Sequence, residues 1–212
     1  MNYRYRINYS KKNDMRYTSN LDIHKMWERT FRRAKLPLVY SQGFHPQPKI
    51  QLACPLPLGF LSRHELVDVV IGQDFSLELF TERIEKALPS GIGINQVTVV
   101  NLHDPALQTQ IESSEYHIYF LENFDQDQLT KELTEVLAKP NIIRNRRGKN
   151  YDLRPLILEA EMIDDQPPYL RLILESKPSA TGRPEEVLDE LKVPLELTRI
   201  IRNSLFFSGS KK

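Results

Sequence analysis

Two groups of residues have the types and spacing to do chemistry, and both are basic. In the first, Lys25, Arg29, Arg32 and Arg33 recur at spacings of four and three with Arg33 adjoining, so a helix through them carries a cationic stripe. Guanidinium forks bond phosphate oxygens in pairs, and an ammonium acts on them as a point charge. The stripe runs into a segment rich in proline and glycine, residues 36–49. Tyr40, Phe44 and His45 supply planar rings that stack on unpaired bases. Lys49 adds a cation, Gly43 allows a positive φ, and Pro46 and Pro48 stiffen the end of the segment. Cations interleaved with rings are the makeup of a single-stranded nucleic-acid surface. The plainer alternatives are that Tyr40 and Phe44 plug the core beneath the loop, or that the segment meets a protein partner.

The second group is Arg144, Arg146, Arg147 and Lys149, followed by Arg154, with Asp152 as the one acid among them and Gly148 near the centre. A basic hairpin turning at Gly148 would reach into a nucleic-acid groove, and its affinity would be dominated by phosphate neutralisation and fall with salt. The alternative is a solvated turn.

Catalytic constellations are thin. The histidines are His24, His45, His64, His103 and His117, and no pair has metalloprotease spacing. His24 and Glu28 stand one helical turn apart, as an acid–base pair, as metal ligands or as a surface hydrogen bond. His45, with Ser41 and Lys49 nearby, is a weak candidate for a general base toward a ribose 2′-hydroxyl. There is no P-loop, no GxGxxG and no cysteine cluster, so neither a nucleotide cofactor, nor an iron–sulfur centre, nor a metal site of its own is expected. The single cysteine, Cys54, cannot form an internal disulfide and reads as a small buried hydrophobe beside Pro55.

Periodicity shows which elements must position these residues. Residues 3–9 alternate Tyr, Tyr, Ile, Tyr with Arg4, Arg6 and Asn8, a strand with one buried face. Ser19 and Asp22 have capping-box-like spacing ahead of a helix over 21–35, which ends before Pro37. Strands are expected over 50–56 and 65–71, a helix over 77–88 and a strand over 93–102. That order, β-α-β-β-α-β, is the split βαβ pattern. It then repeats: a strand over 116–121, a helix over 127–139, strand from 142 through a basic turn to 161, strand 169–175, a short helix 185–191 and a strand 197–207. The expected class is therefore α+β, with two ferredoxin-like halves, 1–105 and 106–212, each an antiparallel sheet with helices on one face. A single larger α+β domain is the alternative.

Composition agrees with a folded, soluble chain: 212 residues, 40% hydrophobic and 27% charged. No apolar run reaches the roughly 18 residues of a membrane helix, and the N-terminus has no signal-peptide stretch, so a cytoplasmic location without membrane contact is expected. The net charge of +1 conceals an asymmetry. Residues 1–72 hold 12 Lys/Arg against 5 Asp/Glu, residues 73–140 hold 4 against 12, and residues 141–212 hold 13 against 11. A basic first third beside an acidic middle gives an oriented field, unless the charges only solvate helix faces.

Residues 7–68 resemble a bacterial family of radical SAM-linked proteins, whose members occur alone or fused after a radical SAM enzyme module. The likeness is carried by Tyr17-Thr18-Ser19-Asn20-Leu21-Asp22, Trp27-Glu28-Arg29, and Arg32-Arg33-Ala34-Lys35-Leu36-Pro37. It continues through Tyr40-Ser41-Gln42-Gly43-Phe44-His45-Pro46-Gln47-Pro48-Lys49-Ile50 and Pro55-Leu56-Pro57-Leu58-Gly59, with Ser62, Glu65 and Asp68. The resemblance implies a radical SAM protein as partner and no cluster-binding module in this chain. The doubled plan also looks like that of CRISPR repeat-processing endoribonucleases, at the level of fold alone. Together these readings favour a non-catalytic accessory module that binds RNA (tRNA or rRNA) or another substrate for a radical SAM enzyme in RNA modification or processing. A metal-independent endoribonuclease and a protein-docking scaffold whose acidic segment 73–140 meets a basic partner are the alternatives.

Overall fold

A computed structural model describes Met1–Gly209, and the chain divides into two compact units, Met1–Ile111 and Glu112–Lys212. The fold is mixed α+β, with antiparallel pairing and helices packed on it. Among the described residues no helix is long and apolar enough to cross a membrane.

In the first unit the chain runs β1 (Tyr3–Lys11), α1 (Asn20–Arg33), β2 (Ile50–Leu52), β3 (Leu61–Ile71), α2 (Leu77–Glu85), β4 (Ile92–Val100) and a single turn α3 (Leu107–Gln110). Its strands lie in the order β4-β1-β3-β2, every neighbour antiparallel. The alternation of β1 places Tyr5, Ile7 and Tyr9 in the core. There Tyr5 stacks on Phe80 of α2 at 4.2 Å, and Tyr9 meets Trp27 of α1 edge-on at 4.9 Å. The opposite face of β1 differs from expectation. Arg4 is buried, because Asp68 on β3 and the segment around Asp104 close over it.

α1 begins where the cap residues require. The Ser19 Oγ accepts the Asp22 N–H at 3.2 Å, the N-cap bond, and donates to the Asp22 carboxylate at 2.7 Å, so the aspartate grips the Ser19 hydroxyl instead of the backbone N–H a capping-box glutamate takes. Ile23, Trp27, Thr30 and Phe31 form the buried stripe. The strand expected over 50–56 stops at Leu52. Ala53 makes the last rung to Leu66, and Pro55 and Pro57 have no N–H to continue it. Cys54 therefore sits half-buried in a bend rather than as a buried strand residue. β3 is longer than expected, starting at Leu61.

The second unit runs β5 (Ile111–Phe120), α4 (Gln126–Ala138), β6 (Ile143–Arg146), β7 (Lys149–Asp152), β8 (Ile157–Ile163), β9 (Tyr169–Lys177), β10 (Ala180–Thr181), α5 (Pro184–Glu190) and β11 (Thr198–Phe207). β9 pairs β5 and β8 antiparallel, and β11 lies on the other side of β5. Leu129, Leu133 and Val136 of α4 and Pro184, Val187 and Leu188 of α5 are their buried residues. The basic turn expected around Gly148 is present, but the strand expected to continue from it to 161 is interrupted. β6 and β7 form a hairpin of their own, and a 3-10 turn at Arg154–Leu156, with Pro155 inside it, separates them from β8.

Candidate nucleic-acid interface

Helical spacing sets the first site. Because Ile23, Trp27 and Thr30 face the core, Lys25, Arg29 and Arg32 fall on the far side of α1, where all three are exposed. Lys25 and Arg29 make no ion pair or hydrogen bond among the described residues. Arg32 is braced from two sides, by Glu28 one turn back at 2.7 Å and by the Tyr40 hydroxyl at 3.3 Å. Glu28 thus serves Arg32 rather than pairing with His24. Arg33 turns away from the stripe and donates to the Ala87 carbonyl at 2.7 Å, just past the C-terminus of α2, where a cation is favoured.

The Arg32–Tyr40 contact joins this face to the proline-rich segment, which folds as a closed finger. The Val39 carbonyl accepts from the Lys49 N–H at 2.8 Å, and Tyr40 bridges to Pro48. The Ser41 N–H donates to the Gln47 carbonyl at 2.8 Å, and the Gln47 N–H returns to the Ser41 Oγ at 2.9 Å. The base is held to β3 through Val39 N to Val70 O and Val70 N to Lys49 O, both 3.0 Å. The tip is Gln42 to Pro46. Gly43 there has φ +133° with open space around it, so its backbone angle and not crowding selects glycine. Phe44 does not plug the core. Its side chain is 100% exposed, the opposite of where an unengaged aromatic belongs. Tyr40 is 36% exposed, and His45 is exposed beside it, whereas Lys49 stands at the base. Ser41 is committed to closing the finger, and no side chain orients the His45 ring among the described residues, although a general base needs such a partner.

The second basic group behaves differently. Arg147 (φ 53°) and Gly148 (φ 80°) are the two central residues of the turn between β6 and β7, both with the positive φ of a type I′ hairpin. Arg144 is held by Asp189 at 2.6 Å and Glu190 at 3.1 Å, and Arg146 by Glu186 at 2.7 and 2.8 Å. The Arg146 guanidinium also lies over the Tyr151 ring at 4.6 Å. Arg154 donates to the Leu137 and Ile157 carbonyls. Arg144 and Arg146 fasten the hairpin to α5 and Arg154 ties the turn after it to α4, and of this basic group only Arg147 and Lys149 stand exposed without a partner among the described residues.

Burial and the Glu186 carboxylate push the Tyr151 phenol up to about 12. The folded value therefore lies above the ordinary 10.0, so the contribution to stability is complete below about pH 10 and is lost as pH rises toward 12. Tyr151→Phe is expected to remove that dependence. Urea unfolding at about pH 9 and about pH 11 checks it, the wild type losing more stability than the variant over that interval.

Two polar clusters had no local sequence signal. In the first unit Arg4 and Arg6 converge on Asp68. Arg4 Nε donates to Oδ2 at 2.8 Å, and Arg6 Nε to Oδ1 at 2.8 Å. The Asp68 side chain is 2% exposed and that of Arg4 6%. In the second unit His117 Nε2 lies 2.6 Å from Glu115 Oε1, with its ring stacked on Tyr169 at 4.4 Å. Arg171 and Asn203 point at the same oxygen, at 3.4 and 3.3 Å. His117 Nδ1 is buried without a partner among the described residues. No group of three His, Cys, Asp or Glu side chains among the described residues is placed to hold a metal ion.

A family model described as "Uncharacterized protein conserved in bacteria (DUF2344)" matches residues 4–184. No curated protein matches the sequence. Among solved structures, the small subunit of acetolactate synthase from Thermotoga maritima aligns over 100% of this chain and 99% of its own, at 12% identity and a TM-score of 0.28. An unknown protein from Galdieria sulphuraria aligns over 98% and 99%, at 15% identity and a TM-score of 0.27.

Proposed function

We propose that this chain, which belongs to the family of uncharacterized proteins conserved in bacteria (DUF2344), is an accessory RNA-binding module. The observation that carries this reading is the join between the α1 face and the finger. Arg32 contacts the Tyr40 hydroxyl, so the exposed cations of α1 adjoin the finger whose tip carries the wholly exposed Phe44. Cations there would take the phosphates of a single strand, and the Phe44 ring would stack on a base. Arg147 and Lys149 offer a smaller second contact. The partner in this proposal is a radical SAM enzyme acting on the RNA, in the cytoplasm, which the motif resemblance over 7–68 supports. The pairing order β4-β1-β3-β2 in the first unit, and β8-β9-β5-β11 in the second, supports reading both as ferredoxin-like.

Binding to bulk tRNA, measured by fluorescence anisotropy across a salt series, tests the reading. Wild type is expected to bind saturably, with an affinity that falls steeply as salt rises. Lys25→Ala with Arg29→Ala is expected to reduce the salt slope by about 2, one for each phosphate contact. Phe44→Ala is expected to cost about 1–3 kcal/mol of binding and leave the slope unchanged. Absence of binding at low salt overturns the RNA reading. Co-purification of a radical SAM protein that survives nuclease treatment checks the partner.

A further inference from the structure

At the base of the finger the first unit holds a pocket of about 440 Å³ with mixed polar and apolar lining, within the range of small-ligand sites. Its floor is the Arg4–Asp68 pair. Arg4 is fully committed, to Asp68, to the Asp104 carbonyl at 2.8 Å and to the Pro105 carbonyl at 3.1 Å. The charged residues of the lining are Arg4 and Lys49 against Asp68 and Asp104, formally balanced, and Arg4 is spent on Asp68, so Lys49 is the cation the pocket can offer a ligand. The walls are different in kind. The side chains of Asn2, Gln47 and Lys49 make no hydrogen bond among the described residues. Gln51 uses only its Oε1, accepting the Leu107 N–H at 3.1 Å, so its amide N–H groups are uncommitted.

Three carboxamides and one ammonium are an unusual set for a pocket. A carboxamide both donates and accepts, which is what the edge of a nucleobase requires and what a bare anion does not. Gln47 and Lys49 belong to the returning side of the finger that carries Phe44, so pocket and finger are two parts of one segment. Resting on the RNA reading above, we infer that this pocket holds one unstacked nucleotide of a bound single strand. The base edge lies against Gln47, Gln51 and Asn2, the phosphate on Lys49, and a neighbouring base on Phe44. The pocket thus supplies base preference, and the α1 stripe supplies affinity without preference.

The test is the affinity of the full chain for four fluorescein-labelled homopentanucleotides of A, C, G and U. Wild type is expected to prefer one base by about tenfold. Gln47→Leu and Gln51→Leu are expected to reduce that preference to near unity. Gln47 closes the finger through its backbone alone, so Gln47→Leu keeps the test sound if Gln51→Leu destabilises the Leu107 turn. Lys49→Ala is expected to weaken all four oligonucleotides alike, as is Lys25→Ala. Binding of all four without preference, or a preference untouched by Gln47→Leu, overturns the pocket and leaves the RNA reading standing. Failure of every oligonucleotide and of tRNA to bind overturns both.

Discussion

Replacing Asp68 with alanine is expected to lower the unfolding free energy by about 3–5 kcal/mol, because it removes the carboxylate that pairs the buried Arg4 guanidinium. Arg4 is enclosed by the Asp104–Pro105 backbone and cannot swing into water without opening that segment. Arg6 would keep its contact to the Gln110 side chain at 3.3 Å, so the expected loss rests on Arg4. The loss should vary little between low and high salt, since a buried pair is poorly screened. Chemical denaturation followed by circular dichroism measures it. Adding Arg4→Met and Arg6→Met to Asp68→Ala should recover much of the loss, as apolar replacements of whole buried ion clusters do. A loss under about 1 kcal/mol for Asp68→Ala would show instead that water reaches the guanidinium groups in the native state.

Trp27→Ala is the second large effect, expected at about 3–5 kcal/mol. Trp27 is completely buried, edge-on to Tyr9 and stacked on Phe31 at 5.3 Å, so truncation opens a cavity between α1 and the sheet. Its Nε1 has no hydrogen-bond partner among the described residues, an unusual state for a buried indole. Trp27→Phe removes that orphaned donor together with part of the ring. It is therefore expected to cost much less than alanine, because the loss of packing is offset by the release of an unsatisfied N–H. Unfolding must be followed by circular dichroism, as Trp27 is the only tryptophan and its removal silences the fluorescence. A Trp27→Phe variant as damaged as Trp27→Ala would mean the indole N–H is satisfied in solution. Since Trp27 fixes the rotation of α1, Trp27→Ala should also blunt RNA binding, although it touches no exposed cation.

The elements were legible where one strong periodicity ruled. Tyr5, Ile7 and Tyr9 declare a buried strand face, and Ser19 with Asp22 marks the start of α1 before any packing is known. The other face of β1 was illegible for a physical reason. Arg4 and Arg6 look like solvent residues until Asp68, sixty-four residues from Arg4, is brought beside them. The fate of Arg144 and Arg146 was hidden in the same way, because the acids that hold them belong to α5, about forty residues further on. Local charge density suggested a free basic hairpin, and long-range pairing left two exposed cations. Phe44 stood among three readings in the sequence, since an aromatic ring among prolines serves a core plug, a stacking platform or a protein contact, and its exposure excludes the plug alone.

The closed finger has a consequence for how rapidly and with what heat it would engage a ligand. Pro46 and Pro48 fix φ on its returning side, and the Ser41–Gln47 and Tyr40–Pro48 links fix its width. Its backbone has already surrendered, during folding, the roughly 1–2 kcal/mol per residue of conformational entropy that a floppy loop would surrender on contact. A strand stacking on Phe44, as proposed, would need no ordering step, so its encounter rate would be set by charge attraction, and differences between partners would be expressed in how long each stays.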